Sequence, residues 1–196
     1  MKIVILNTEC SNLLSVSIAI KRIGYNPIIS SDPKIIFQAD KVLLPGVGTA
    51  NSAMEVLKKK KLVNIIKKLK QPILGICLGM QLFGSYSCEN GHIKTLNIID
   101  VPVIHIKTSN LPLPHVGWNK INICKNSNLF KGINQSDYFY FIHSYIMPIC
   151  NFTISTTNYG IPFSSTIKYK NFFGVQFHPE RSGKSGNLLL KNFLEM

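Results

Sequence analysis

The sequence predicts an α/β fold with a mostly parallel central sheet flanked by helices. Three observations predict it. Short apolar runs alternate with helical-period segments through the first eighty residues, which is the signature of strand–helix–strand units. The runs are continuously apolar (Ile3-Val4-Ile5-Leu6, Val42-Leu43-Leu44, Ile73-Leu74), as strands buried on both faces are. A 196-residue chain with 45% hydrophobic and 16% charged residues is globular, and at that length about 70% of the unfolded surface is buried.

Lys2 to Leu6 is the first strand. Leu13, Leu14, Val16, Ile20 and Ile23 then mark a helix that Gly24 closes, with Ser11 or Asn12 as its cap. Tyr25 to Ile29 reads as a second strand and Pro33 to Phe37 as a short helix. A third strand, Lys41 to Leu44, stops at Pro45-Gly46-Val47-Gly48, where two glycines permit unusual backbone angles and leave N–H groups bare; an ordinary tight turn would read the same way. Val56, Leu57, Leu62, Ile65, Ile66 and Leu69 recur at helical spacing over residues 50–70. The next strand, Ile73 to Ile76, leads into a cysteine. After Asp100 the pattern changes to short strands: Val101 to Ile106, Lys120 to Ile123, Tyr138 to Ile142, Phe152 to Thr156, Ser164 to Tyr169 and a last one through Val175 to Phe177. Ser185 to Glu195 closes the chain as a helix. The whole of 1–196 reads as one domain, with its site at the carboxyl ends of the parallel strands.

Gly75-Ile76-Cys77-Leu78-Gly79 between a strand and a helix is a thiol nucleophile elbow. The turn presents the side chain, and the flanking glycines let neighbouring backbone pass. The thiol also meets a helix N-terminus, which favours thiolate, and the Leu78 N–H faces the place where an attacked carbonyl gathers charge. Most lone cysteines are simply small buried apolar residues. The balance shifts with Phe177-His178-Pro179-Glu180. In extended backbone His178 and Glu180 point the same way, so the carboxylate can orient an imidazole that takes the thiol proton. Cysteine, distant histidine and nearby carboxylate together make an acyl-transfer set.

These two stretches resemble the class I (triad) glutamine amidotransferases. Pro45-Gly46-Val47-Gly48, Pro114-His115-Val116-Gly117-Trp118-Asn119, His143-Ser144-Tyr145 and His178-Pro179-Glu180-Arg181-Ser182-Gly183 narrow the likeness to the glutaminase subunits of imidazole glycerol phosphate synthase, from Lys2 to Met196. The resemblance implies a flavodoxin-like, three-layer class I glutamine amidotransferase domain hydrolysing L-glutamine through a Cys77 thioester. Cys77, His178 and Glu180 would be catalytic. Val47 or Gly48 would join Leu78 in the oxyanion hole. Gly46, Gln81, Glu89, Ser144 and Tyr145 would contact glutamine, with a solvated surface carboxylate as the rival role of Glu89. A (β/α)8-barrel cyclase would receive the ammonia as heterodimer partner, making imidazole glycerol phosphate and aminoimidazole carboxamide ribotide in histidine biosynthesis. Asn12, Trp118 and Arg181 would face that partner. No metal or organic cofactor is implied. Members of the family usually carry Asp at position 7 and Gly at position 9. Here they are Asn7 and Glu9, and the longer side chain would crowd an ammonia exit.

The formal charge of +13 raises nucleic acid as a partner, and the aromatic run Tyr138 to Phe141 raises RNA stacking. Lys58 to Lys61 with Lys67, Lys68 and Lys70 more simply form the wet face of an amphipathic helix, and the aromatics more simply belong to the core, so no nucleic-acid partner is expected. Cysteines at 10, 77, 88, 124 and 150 are odd in number and lack Cys-x-x-Cys, which argues against disulfides or zinc and for a reducing cytoplasm. His92 and His105 have no partners at ligand spacing. No apolar run reaches the roughly 20 residues of a membrane span, and the N-terminus reads as a strand rather than a signal peptide. Two other readings remain: a glutaminase of the same family serving another synthase, such as one for a surface sugar, and a non-catalytic basic binding module.

Overall fold

In the computed structural model, which describes residues 1–9, 12–108 and 110–196, the sheet forms around the apolar runs. Strands β1 (Ile3–Leu6), β2 (Ile28–Ser30), β3 (Lys41–Gly46) and β4 (Ile73–Cys77) alternate with helices α1 (Leu13–Arg22), α2 (Pro33–Phe37), α3 (Ala50–Lys59) and α4 (Val63–Lys68). A single helical turn, α5 (Leu78–Gln81), follows β4. Short strands come next: β5 (Tyr86–Ser87), β6 (Ile93–Lys94), β7 (Ile104–His105), β8 (His115–Lys120), β9 (Asn122–Ile123), β10 (Tyr138–His143) and β11 (Tyr145–Ile146). The long hairpin β12 (Thr153–Tyr159) and β13 (Ile161–Tyr169) leads to β14 (Phe172–Val175) and the closing helix α6 (Gly183–Glu195).

The main sheet has eight strands in the order β2-β1-β3-β4-β14-β13-β12-β9. The pairings from β2 through β14 are parallel, and β13, β12 and β9 add antiparallel neighbours. Both faces are covered, and the two-residue alternation of each strand decides which residue goes where. Ile3 and Ile5 of β1 pack with Val16 and Ile20 of α1 and Leu190 and Phe193 of α6. Val4 and Leu6 face the other way, among Ile36, Met54, Leu57 and Ile66 of α2, α3 and α4. The result is three layers, as expected.

The second half departs from the sequence reading. Of Val101 to Ile106 only Ile104–His105 is a strand, pairing β11 in a two-residue ladder. His115–Lys120, of which only Lys120 was expected in a strand, pairs antiparallel with β10 as a separate ribbon. The aromatic run is core on one side only: Phe139 and Phe141 are buried, while Tyr138 is exposed. The last central strand ends at Val175 rather than Phe177, because the His178 N–H leaves the sheet for the Tyr140 carbonyl. Ser11, one of the two expected caps of α1, and Cys10 lie outside the described residues. Asn12, the other expected cap, makes no side-chain cap hydrogen bond.

Glu9 occupies a left-handed conformation, φ 57°, one that a glycine adopts at no steric cost. Lys60 holds its carboxylate at 2.9 Å, and the same ammonium donates to the Asn7 carbonyl.

Candidate active site

Cys77 terminates β4 at φ 52°, ψ −110°, a backbone conformation that costs about 1–3 kcal/mol and persists only where its surroundings enforce it. Gly79 is part of that enforcement. A Cβ there would lie 1.8 Å from the Leu44 carbonyl oxygen of β3, and one at Gly75 would lie 2.7 Å from the Gly79 backbone. The small residues of the elbow therefore let β3 and α5 press together beneath the thiol.

The sulfur opens on a cavity of about 290 Å³, at the small end of ligand sites. Val47, Gly48 and Leu78 line it with Cys77, as do Gln81, Glu89, Ser144, Tyr145 and His178. Gly46 does not reach it. It lies opposite Cys77 in the β3–β4 ladder, where a Cβ would sit 3.0 Å from the Gly79 nitrogen. Gly48, at φ 92°, has the freedom that the sequence suggested. Glu89 is no solvated surface carboxylate: its Oε2 accepts from the Ala50 N–H at 2.6 Å and so anchors the start of α3.

His178 follows β14, the strand next to β4, so two adjacent parallel strands deliver thiol and imidazole to the same rim. Glu180 meets His178 differently from the expectation. The backbone from Pro179 to Arg181 is a 3-10 turn, not an extended segment, and the turn brings Oε1 back to within 2.6 Å of Nδ1. That bond makes Nδ1 the protonated nitrogen and leaves Nε2, which is buried and makes no hydrogen bond among the described residues. Burial pulls the imidazole toward neutrality. The charge of nearby Cys77, then the bond to Glu180, outweigh it and raise the group to about 10. A thiol, an imidazole that holds a proton and a buried carboxylate behind it can ionise the sulfur and protonate a leaving group.

Three features were not visible in the sequence. Asn12, expected at the partner face, is 8% exposed. Its Nδ2 donates to Glu180 Oε1 at 2.7 Å; the 3.4 Å approach to His178 Nδ1 is contact between two donors. Gln176, fully buried, donates from Nε2 to the Cys77 sulfur at 3.7 Å and accepts from Gln81 at 3.0 Å. His115 and His143 form a buried pair at 3.1 Å, with His143 lining the cavity and His115 behind it. Burial pushes His115 down to about 4, and burial together with the charge of His115 pushes His143 down to about 3. The signal for Gln176 was present as one polar residue inside the run Gly174-Val175-Gln176-Phe177; nothing in the spacing named its partner.

Trp118 and Arg181 are exposed, and both meet Tyr140 of β10. The indole stands edge-on at 6.0 Å and the guanidinium lies 5.1 Å above the ring. His92 stacks on Tyr86, and His105 meets Tyr145 edge-on. Among the described residues no cluster of His, Cys, Asp and Glu could hold a metal ion, and no helix is long and apolar enough to cross a membrane.

The glutamine amidotransferase class-I family profile matches residues 9–196. The imidazole glycerol phosphate synthase subunit HisH of Blochmanniella floridana is 63% identical over the full length of both chains. The subunit of the same name from Yersinia pseudotuberculosis is 55% identical, again over all of both chains. A solved glutamine amidotransferase superposes with a TM-score of 0.76 at 14% identity, covering 98% of this chain and 97% of its own, a likeness of fold alone.

Proposed function

This chain belongs to the class I glutamine amidotransferase family, and on that premise we propose how its site works and what it serves. It is the glutaminase subunit of an imidazole glycerol phosphate synthase, an enzyme of histidine biosynthesis. All 196 residues act as one glutaminase domain.

The Cys77 proton rests on His178 Nε2, so the pair waits as thiolate and imidazolium, and Glu180 steadies that imidazolium through Nδ1. The Cys77 sulfur attacks the side-chain amide carbon of L-glutamine, and the oxyanion accepts N–H bonds from Leu78 and from Val47 or Gly48. Each such donor lowers the barrier by about 2.7–4 kcal/mol. His178 returns its proton to the amine as the C–N bond breaks, and ammonia leaves a glutamyl thioester. Water, deprotonated by His178, adds to the thioester, and a second oxyanion collapses to glutamate and free thiol. Gln81, Glu89, Ser144 and Tyr145 hold the amino-acid end of the substrate.

The ammonia passes to a (β/α)8-barrel cyclase bound as a heterodimer, which makes imidazole glycerol phosphate and aminoimidazole carboxamide ribotide. Trp118 and Arg181 are its contacts. They flank one ring on an exposed ribbon whose Ile142 lines the cavity. Asn12 faces inward and serves the site instead. We place the enzyme in the cytoplasm.

The single observation that carries the reading is the buried 2.6 Å His178–Glu180 contact beside a strained, cavity-lining Cys77. A glutamine-analogue electrophile should modify Cys77 alone, leaving Cys88, Cys124 and Cys150 free; labelling elsewhere, or none, would sink the glutaminase. Complementation of a histidine auxotroph separates this enzyme from a relative feeding another synthase.

A further inference from the structure

We infer that Gln176 is a positioning residue that holds the Cys77 sulfur as a hydrogen-bond acceptor, its amide being set the right way round by Gln81 and the Tyr145 carbonyl. The inference rests on Cys77 being the nucleophile, and it reaches past the three side chains that carry the reaction.

The orientation follows from one group that can play only one role. A backbone carbonyl accepts and cannot donate. The Tyr145 oxygen lies 2.8 Å from the Gln81 amide, so the end of Gln81 that faces it is Nε2. That same Nε2 lies 3.0 Å from Gln176. With one hydrogen given to Tyr145, its second goes to Gln176, which must present Oε1. The other end of the Gln176 amide is then Nε2, and it faces Cys77 Sγ at 3.7 Å. Turning this amide over would set two NH₂ groups against each other and an oxygen lone pair against the sulfur.

The anchor of the chain is itself fixed. His143 Nδ1 lies 3.0 Å from the Tyr145 oxygen and must donate, which leaves Nε2 to accept from His115 Nδ1 at 3.1 Å. Burial keeps both rings neutral, so neither has a second proton with which to break the pattern. The Tyr145 carbonyl thus takes two donors and cannot change partners without leaving a buried polar group unpaired.

The consequence falls on the sulfur. A thiol accepts weakly, whereas a thiolate accepts well, because bonds to an ionised partner are about twice as strong as neutral ones. An obligatory donor against Sγ therefore favours the ionised sulfur and holds it in place once His178 has the proton. Gln176 is fully buried and does not line the cavity, so it acts through Cys77 and not on substrate. Gln81 gains a defined role as well. Both hydrogens of its amide are engaged, so any bond it makes to glutamine goes through Oε1, an acceptor suited to an ammonium group.

The test is the pH dependence of Cys77 alkylation by iodoacetamide in the full chain, which needs no substrate recognition. Gln176→Met keeps the shape and removes the donor; Gln176→Glu presents an acceptor to the sulfur. In Gln176→Met the alkylation midpoint should rise by about one pH unit. The kcat for glutamine should fall about tenfold while KM stays within about twofold, and Gln176→Glu should exceed both effects. A folded Gln176→Met protein with the wild-type midpoint overturns the inference. Should both variants fail to fold, the wild-type protein answers: the ¹⁵N-labelled side-chain amide of Gln176 should shift with the Cys77 midpoint and stay still in Cys77→Ala, and a resonance flat through that midpoint overturns the inference equally. Failure of wild-type Cys77 to react with a glutamine analogue sinks the glutaminase reading instead, and leaves these two outcomes readable.

Discussion

Replacing Asn12 by alanine separates two roles for this residue. Its Nδ2 donates to Glu180 Oε1 at 2.7 Å, on the same oxygen that takes the His178 proton at 2.6 Å, while Oε2 of that carboxylate is buried without a partner among the described residues. The variant therefore strips one of two donors from a buried anion. A hydrogen bond to a charged group contributes about 1.5–3 kcal/mol. If that strength is used to keep Glu180 aligned behind the imidazolium, glutaminase kcat should fall about 10- to 150-fold at constant KM. Whatever part is expressed in the ground state lowers Tm, by about 2–4 °C per kcal/mol for a chain of this size. The assay is glutamate release by the chain alone and with its partner, alongside a thermal melt. The sequence-based expectation of a partner contact gives a different pattern, in which affinity for the partner drops while unpartnered turnover and Tm hold. That second pattern would refute the role of Asn12 as a buried donor to Glu180.

Gly79→Ala places a Cβ 1.8 Å from the Leu44 carbonyl oxygen, so α5 and β3 must move apart. The cost should reach or exceed about 3 kcal/mol, read as a fall in the urea midpoint, and an unchanged midpoint would contradict the packing of the elbow. Phe177→Ala empties a fully buried site against Phe139, whose ring centroid is 4.3 Å away; a loss of about 3–5 kcal/mol is expected, and a drop below about 1 kcal/mol by denaturant titration would show that the ring is not packed as described. His178 should titrate near 10 by ring-proton NMR, against an unfolded value near 6.5. Because the folded value is the higher one, its protonated form contributes stability that is complete below about pH 6.5 and is lost as pH rises through about 10. Cys77→Ala removes the largest upward influence, so the midpoint should fall in that variant; equal midpoints would show that sulfur and imidazole do not interact.

The parallel half of the sheet was legible because burial on both faces writes an unbroken apolar run. The ribbon was not, because β8 (His-Val-Gly-Trp-Asn-Lys) carries exposed Val116 and Trp118 and a glycine at φ 139°, a composition that loops share. Val101 to Ile106 misled in the opposite direction. It is apolar because it is buried, yet several of its backbone groups are spent on Ser85, Tyr86, Cys88 and Ser144. In the site, the elbow was readable from two glycines and a cysteine, since steric need is local. His178 and Glu180 were correctly paired from their spacing although the backbone between them is a turn; a two-residue offset is short enough for either geometry to serve. Asn12 and Gln176 could not be read, because their partners lie 168 and 99 positions away, and no periodicity carries information across such distances.

The ladder joining β4 to β14, with Ile76 opposite Val175, sets where the two reacting side chains leave the sheet. The sulfur sits at the end of β4, and the imidazole three residues past the end of β14, where the Tyr140 carbonyl takes up the His178 N–H. Val47 and Gly48 lie just beyond the last rung of β3, and Ser144, just past β10, is tied through its carbonyl to the Ile106 N–H. Because side chains alternate along a strand, one residue inserted into β4 would turn the thiol to the opposite face of the sheet, away from the imidazole.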